Sequence, residues 1–77
     1  MPTNPASLIG LPYPVAAEIA RQIDGTPDAA ALSRIGISGP VAIELARQIT
    51  AHSGDEAKLV RMGFPGHVGK ALKAAIG

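Results

Sequence analysis

Three stretches of the chain carry the same apolar spacing. Val15, Ala16, Ile19 and Ile23 fall at i, i+1, i+4 and i+8, and so do Val41, Ala42, Leu45, Ile49 and Val68, Gly69, Leu72, Ile76. That spacing puts each set on one stripe of a helix and predicts three amphipathic helices with the stripe as core face. Ala16, Ala42 and Gly69 recur at one position of the stripe, as a close approach of a neighbouring helix requires. Opposite it stand Glu18, Arg21 and Gln22, repeated as Glu44, Arg47 and Gln48. Their spacing predicts a solvated polar face with weak local pairing; the alternative is a single binding stripe.

Each predicted helix follows a turn phrase: Gly10-Leu11-Pro12-Tyr13-Pro14, Gly36-Ile37-Ser38-Gly39-Pro40, and Gly63-Phe64-Pro65-Gly66-His67. Gly36 and Gly63 stand where a left-handed helix C-cap belongs, Gly10 is the matching turn residue of the first unit, and Leu11, Ile37 and Phe64 supply the apolar contact that accompanies such a stop. Proline at or near the first turn costs no hydrogen bond. Upstream lie short apolar pieces: Ser7–Ile9 in the first unit, then Asp28–Ile35 and Asp55–Met62. Thr26 with Pro27 after it, and Ser53 with Glu56 after it, are the expected caps of the last two. The period is about 26 residues, one helical hairpin per repeat. The expectation is an all-α chain of three consecutive short helix-turn-helix hairpins, five or six helices in all. The repeats run 8–24, 28–50 and 55–77 in one domain (8–77), behind an extended N-terminal arm (1–7) that holds two prolines.

Composition narrows the function more than it names it. The chain has 77 residues, a net charge of +1 and no cysteine, so neither disulfides nor thiolates can staple it, and its core is small enough that a partner would add needed burial. His52 and His67 have no second ligand at metal-binding spacing, and no cofactor or small-molecule substrate is expected. Charges are mixed and scattered, which argues against strong attraction to nucleic acid or an anionic membrane. No run is long and apolar enough to span a bilayer, and the start lacks the features of a signal peptide, so synthesis in the cytoplasm is expected. A catalytic site needs several converging polar groups, which this sequence does not offer; the chain reads as a non-enzyme.

What remains is binding. Pro2, Thr3, Asn4 and Pro5 form an arm free to lie on a partner. Tyr13 and Pro14, Gly39 and Pro40, and Gly66 and His67 mark the hairpin tips. Tyr13, between two prolines, is the better interface anchor of the two aromatic residues, and Phe64 is expected to pack as a turn residue.

Three resemblances bear on the partner. Leu32-Ser33-Arg34-Ile35-Gly36-Ile37-Ser38-Gly39-Pro40-Val41-Ala42-Ile43-Glu44-Leu45 resembles the helix-hairpin-helix motif of DNA repair proteins, which implies hairpins offering backbone N–H groups, here at Gly36 and Gly39, to a phosphate. The motif's second glycine is Pro12, Ser38 and Pro65 here, and its frequent lysine is Pro14, Pro40 and His67; proline has no N–H to give. If DNA were bound, affinity would fall steeply with salt and depend on Arg34, Arg61 and Lys70. Leu59-Val60-Arg61-Met62-Gly63-Phe64 and the residues that follow look like the first two helices of a ubiquitin-associated domain, which implies a protein adaptor dependent on Met62 and Phe64. The repeated Leu-Gly-apolar-Pro-x-Pro-Val-Ala-x-Glu-Ile-Ala-x-Gln-Ile phrase, covering Leu8 to Ile49 best, resembles small virion proteins of tailed bacteriophages, of the head decoration or head-fibre type. It implies a protein on the capsid surface, bound to the major capsid protein, another virion protein or further copies of itself.

Overall fold

The computed structural model describes residues 2–77; Met1, the first residue of the expected arm, lies outside them. Five helices follow a single 3-10 turn at Pro5–Ser7: α1 (Tyr13–Asp24), α2 (Ala29–Arg34), α3 (Gly39–Ala51), α4 (Glu56–Arg61) and α5 (Gly66–Ile76). α2 packs on α3 and α4 on α5 as two hairpins. The 3-10 turn takes the place of a first helix against α1, and α1 in turn contacts α2 and α5. With extents of 29 × 24 × 23 Å, the three units close on one another rather than stand in an open row.

The core repeats with the sequence. Leu8, Leu32 and Leu59 come from the three first elements and Ile19, Leu45 and Leu72 from the three second helices, and all six are buried. Ala16, Ala42 and Gly69 are buried as well. At Gly69 the room is so limited that a Cβ would lie 3.0 Å from Cγ2 of Val60 on α4, which is the reason for a small residue there.

Two turns have the geometry their glycines predict. Gly36 and Gly63 are left-handed, with φ of 109° and 121°. Ile37 N–H donates to the Leu32 carbonyl at 3.2 Å and Phe64 N–H to that of Leu59 at 3.1 Å, while Gly36 and Gly63 donate to Ser33 and Val60. Each α2-type helix thus ends in a Schellman motif that turns the chain straight into the next helix.

The helix starts differ from expectation. Asp28 and Asp55, not Thr26 and Ser53, cap α2 and α4, accepting from Ala31 N–H at 3.2 Å and Lys58 N–H at 3.0 Å. Aspartate serves as N-cap as well as serine or threonine does, and its charge suits a helix start. The arm also departs from an extended, free segment. Asn4 caps the Pro5–Ser7 turn through Ala6 N–H, and Thr3 donates from both its N–H and its hydroxyl to the Asp24 carboxylate, at 2.7 and 2.8 Å. With Leu8 buried behind it, the arm is tied to its own chain.

Candidate functional site

The ends of this helical array are chemically unlike. At the end where α1 and α3 finish and α2 and α4 begin, a buried glutamine sits in each of the first two units. Gln22 and Gln48 are both 0% exposed. The Gln22 side-chain amide accepts from Asp28 N–H at 2.9 Å and donates to the Asp28 carbonyl at 3.0 Å and to Glu18 at 2.7 Å. Gln48 accepts from Asp55 N–H at 2.9 Å and donates to Glu44 at 3.0 Å. Glu18 pairs with Arg21; Glu44, 8% exposed, pairs with Arg47 and with Lys58 of α4, the latter at 3.1 Å. These contacts hold the Glu44 carboxyl down to about 2, the Arg47 hydrogen bond first among them, and lower that of Glu18 through Arg21 and Gln22.

The expected solvated face is therefore corrected in part. Arg21 and Arg47 are exposed, but the glutamines are interior groups that fasten one unit to the next. A short polar side chain whose hydrogen bonds are all met inside is stable there, and no buried side-chain polar atom lacks a partner among the described residues. The third unit carries Ala71, Ala74 and Ala75 where the others carry Glu, Arg and Gln.

The other end holds the hairpin tips. Gly36, Ile37 and Ser38 of the α2–α3 turn and Val41 of α3 face Met62, Gly63 and Phe64 of the α4–α5 turn across an open groove of about 200 Å³. Ile37, Val41, Met62 and Phe64 are half-buried there. The first turn lies against the third: a Cβ on Gly10, whose φ is 94°, would come within 2.6 Å of the His67 imidazole and 2.7 Å of Val68. Tyr13, at the start of α1, is 73% exposed. None of the starts of α1, α3 and α5 has a side-chain cap bond; their N-caps are Pro12, Ser38 and Pro65. Their leading N–H groups and the positive ends of the helix dipoles are left to this surface.

The sequence-predicted site residues divide accordingly. Tyr13, Pro14, Gly39, Pro40, Gly66 and His67 are exposed and stand at the tip end, with Gly10, Gly36, Gly63 and Phe64 forming its turns. Pro2 and Asn4 are exposed and Thr3 and Pro5 half-buried, apart from the tips along the arm. The groove pairing of Ile37 and Val41 with Met62 and Phe64 escaped sequence reasoning, because which two turns meet depends on how the units close. The repeated glutamines carried a signal that their position could have given: they occur only in the units that another hairpin follows. Among the described residues no group of three or more His, Asp or Glu could hold a metal ion, and no helix is long and apolar enough to cross a membrane. Neither a protein-family model nor a curated protein nor a solved structure matches this chain.

Proposed function

We propose that this chain is a non-enzymatic binding protein of a bacteriophage virion, a capsid decoration or minor head protein that holds to the major capsid protein by the tip end of its hairpins. One observation supports the reading most. Apolar side chains are left exposed or only half-covered at that end, with Tyr13 exposed beside the first turn and the groove between the other two lined by the half-buried Ile37, Val41, Met62 and Phe64. An exposed tyrosine and an apolar groove at the same end of a fold suit an interface. A chain with so small a core also gains stability from whatever covers such a surface. In this reading the tips rather than the arm carry the attachment, since Thr3 is engaged with Asp24.

The test is sedimentation of the purified chain with capsids of a tailed phage that encodes it, at about 0.15 M salt. The chain is expected in the pellet at a fixed ratio to the major capsid protein; recovery in the supernatant at every ratio would overturn the proposal.

A second reading, a nucleic-acid binder of helix-hairpin-helix type, draws support from the uncapped starts of α3 and α5. It forecasts binding to duplex DNA that weakens steeply with salt.

A further inference from the structure

The acidic residues of this chain are sorted along the helix axes. Acidic residues are Glu18, Asp24, Asp28, Glu44, Asp55 and Glu56, and none occurs between Asp28 and Glu44 or after Glu56. Asp24, Asp28, Asp55 and Glu56 stand at the end opposite the tips, where α1 finishes and α2 and α4 begin, and Glu18 and Glu44 lie within α1 and α3 in contact with Arg21 and Arg47. The hairpin turns at the tip end therefore carry no acidic residue.

Of the seven cations, Arg21, Arg47, Lys58 and Lys73 lie away from the tips, and three lie toward them. Arg34 and Arg61 are the last residues of α2 and α4, two positions before the glycines of the two turns that form the groove. Lys70 lies in the early part of α5. All three are exposed and take no ion pair among the described residues, in contrast to Arg21, Arg47 and Lys58. The uncapped starts of three helices add positive potential at the same end.

We infer that the groove between the α2–α3 and α4–α5 turns docks an acidic segment of a partner protein, one that places an apolar side chain on Ile37, Val41, Met62 and Phe64 and sets its carboxylates against Arg34 and Arg61. This deepens the reading of the chain as a binding protein and rests on it. Charge complementarity selects the occupant: Arg34 and Arg61 flank the two turns of the groove without an ion-pair partner among the described residues, and Glu18 on α1 is the one acid whose carboxyl feels Arg34, so these turns repel a basic segment and attract an acidic one. The apolar floor selects a side chain rather than a phosphate. With few cations at this end and proline at positions 14 and 40 removing N–H donors, a nucleic-acid backbone would find too little to neutralise it.

The experiment is a titration of the nitrogen-15-labelled chain, followed by its amide spectrum. Three probes are used: a short synthetic peptide of Asp and Glu around a central pair of leucines, the same peptide with Lys in place of every acid, and a short DNA duplex. The acidic peptide is expected to shift the amides of Ile37, Val41, Gly63 and Phe64 and the lysine peptide to leave them unmoved. The double variant R34E/R61E, changed only at exposed positions and checked for an unaltered fold by the same spectrum, is expected to bind about tenfold more weakly. Equal shifts with the lysine peptide, no shift with the acidic one, or shifts with the duplex alone would overturn the inference. Capsid binding that persists in R34E/R61E would sink this groove while leaving the decoration reading intact; failure of the wild type to bind capsids would instead sink that reading.

Discussion

The side-chain amide of Gln22 clasps the backbone of Asp28, accepting from its N–H at 2.9 Å and donating to its carbonyl at 3.0 Å. Asp28 is the N-cap of α2, so a residue near the end of one unit fixes where the next begins. Gln48 holds Asp55, the cap of α4, by the first of these bonds alone, accepting from its N–H with one more residue between them. That residue lies in a turn of another kind: α3 ends on a left-handed His52, whereas α1 ends on Gly25 with φ of −136°.

Gln22→Ala would take the acceptor out of the part-buried hydrogen bond from the Asp28 N–H and empty the buried place of the glutamine side chain, a loss of about 1–3 kcal/mol, and Gln48→Ala would do the same at Asp55. Urea unfolding is expected to show both losses, each far larger than that of Gln22's exposed neighbour Arg21 when changed to Ala.

Glu44 sets a pH dependence. Its carboxyl is lowered from 4.5 to about 2 by its hydrogen bond to Arg47 and those to Gln48 and Lys58. A group depressed on folding contributes its full stabilisation above its unfolded value and loses it as pH falls through the folded one. Thermal melts are expected to hold steady above about pH 5 and to drop between about 4.5 and 2, and Glu44→Gln to flatten that drop, leaving the smaller share of Glu18.

Gly54 turns between α3 and α4 directly against the end of α5, where a Cβ would lie 2.8 Å from the Lys73 Cα. Because both sides of that contact are backbone, Gly54→Ala is expected to cost about 1–3 kcal/mol. Gly66→Ala, at the open start of α5 with nothing within 4 Å, is expected to be neutral or to stabilise by up to about 1 kcal/mol.

His52 is the one left-handed non-glycine among the described residues, at φ 53°. His52→Gly relieves that conformation at some cost in unfolded-chain entropy and is expected to raise stability by about 0.5–1 kcal/mol in the same denaturation assay.

Much of this architecture could be read from the chain because it is written three times. The stripes around Ile19, Leu45 and Leu72 and the glycines at 10, 36 and 63 each rest on local rules of helix periodicity and helix stopping, which hold wherever the units come to lie. Thr26 and Ser53 stand two residues before Asp28 and Asp55 and satisfy the same local rule, so the sequence does not single out the aspartates as caps. The burial of Gln22 and Gln48 shows in the sequence only as their presence in the two units that another hairpin follows, since a glutamine on a polar helix face becomes interior only when the next unit closes over it. For the same reason the groove was legible only as its two separate halves, Ile37 with Val41 and Met62 with Phe64. Thr3 gave no sign in the sequence of its bond to Asp24, 21 residues away.

The most direct test of the account compares three proteins in capsid sedimentation: the wild type, Tyr13→Ser, and a variant lacking residues 2–4, each first shown to be helical and folded. The account predicts that the wild type and the arm deletion reach the pellet at the same ratio to the major capsid protein and that Tyr13→Ser stays largely in solution. Loss of binding with the arm deletion and full binding by Tyr13→Ser would contradict it.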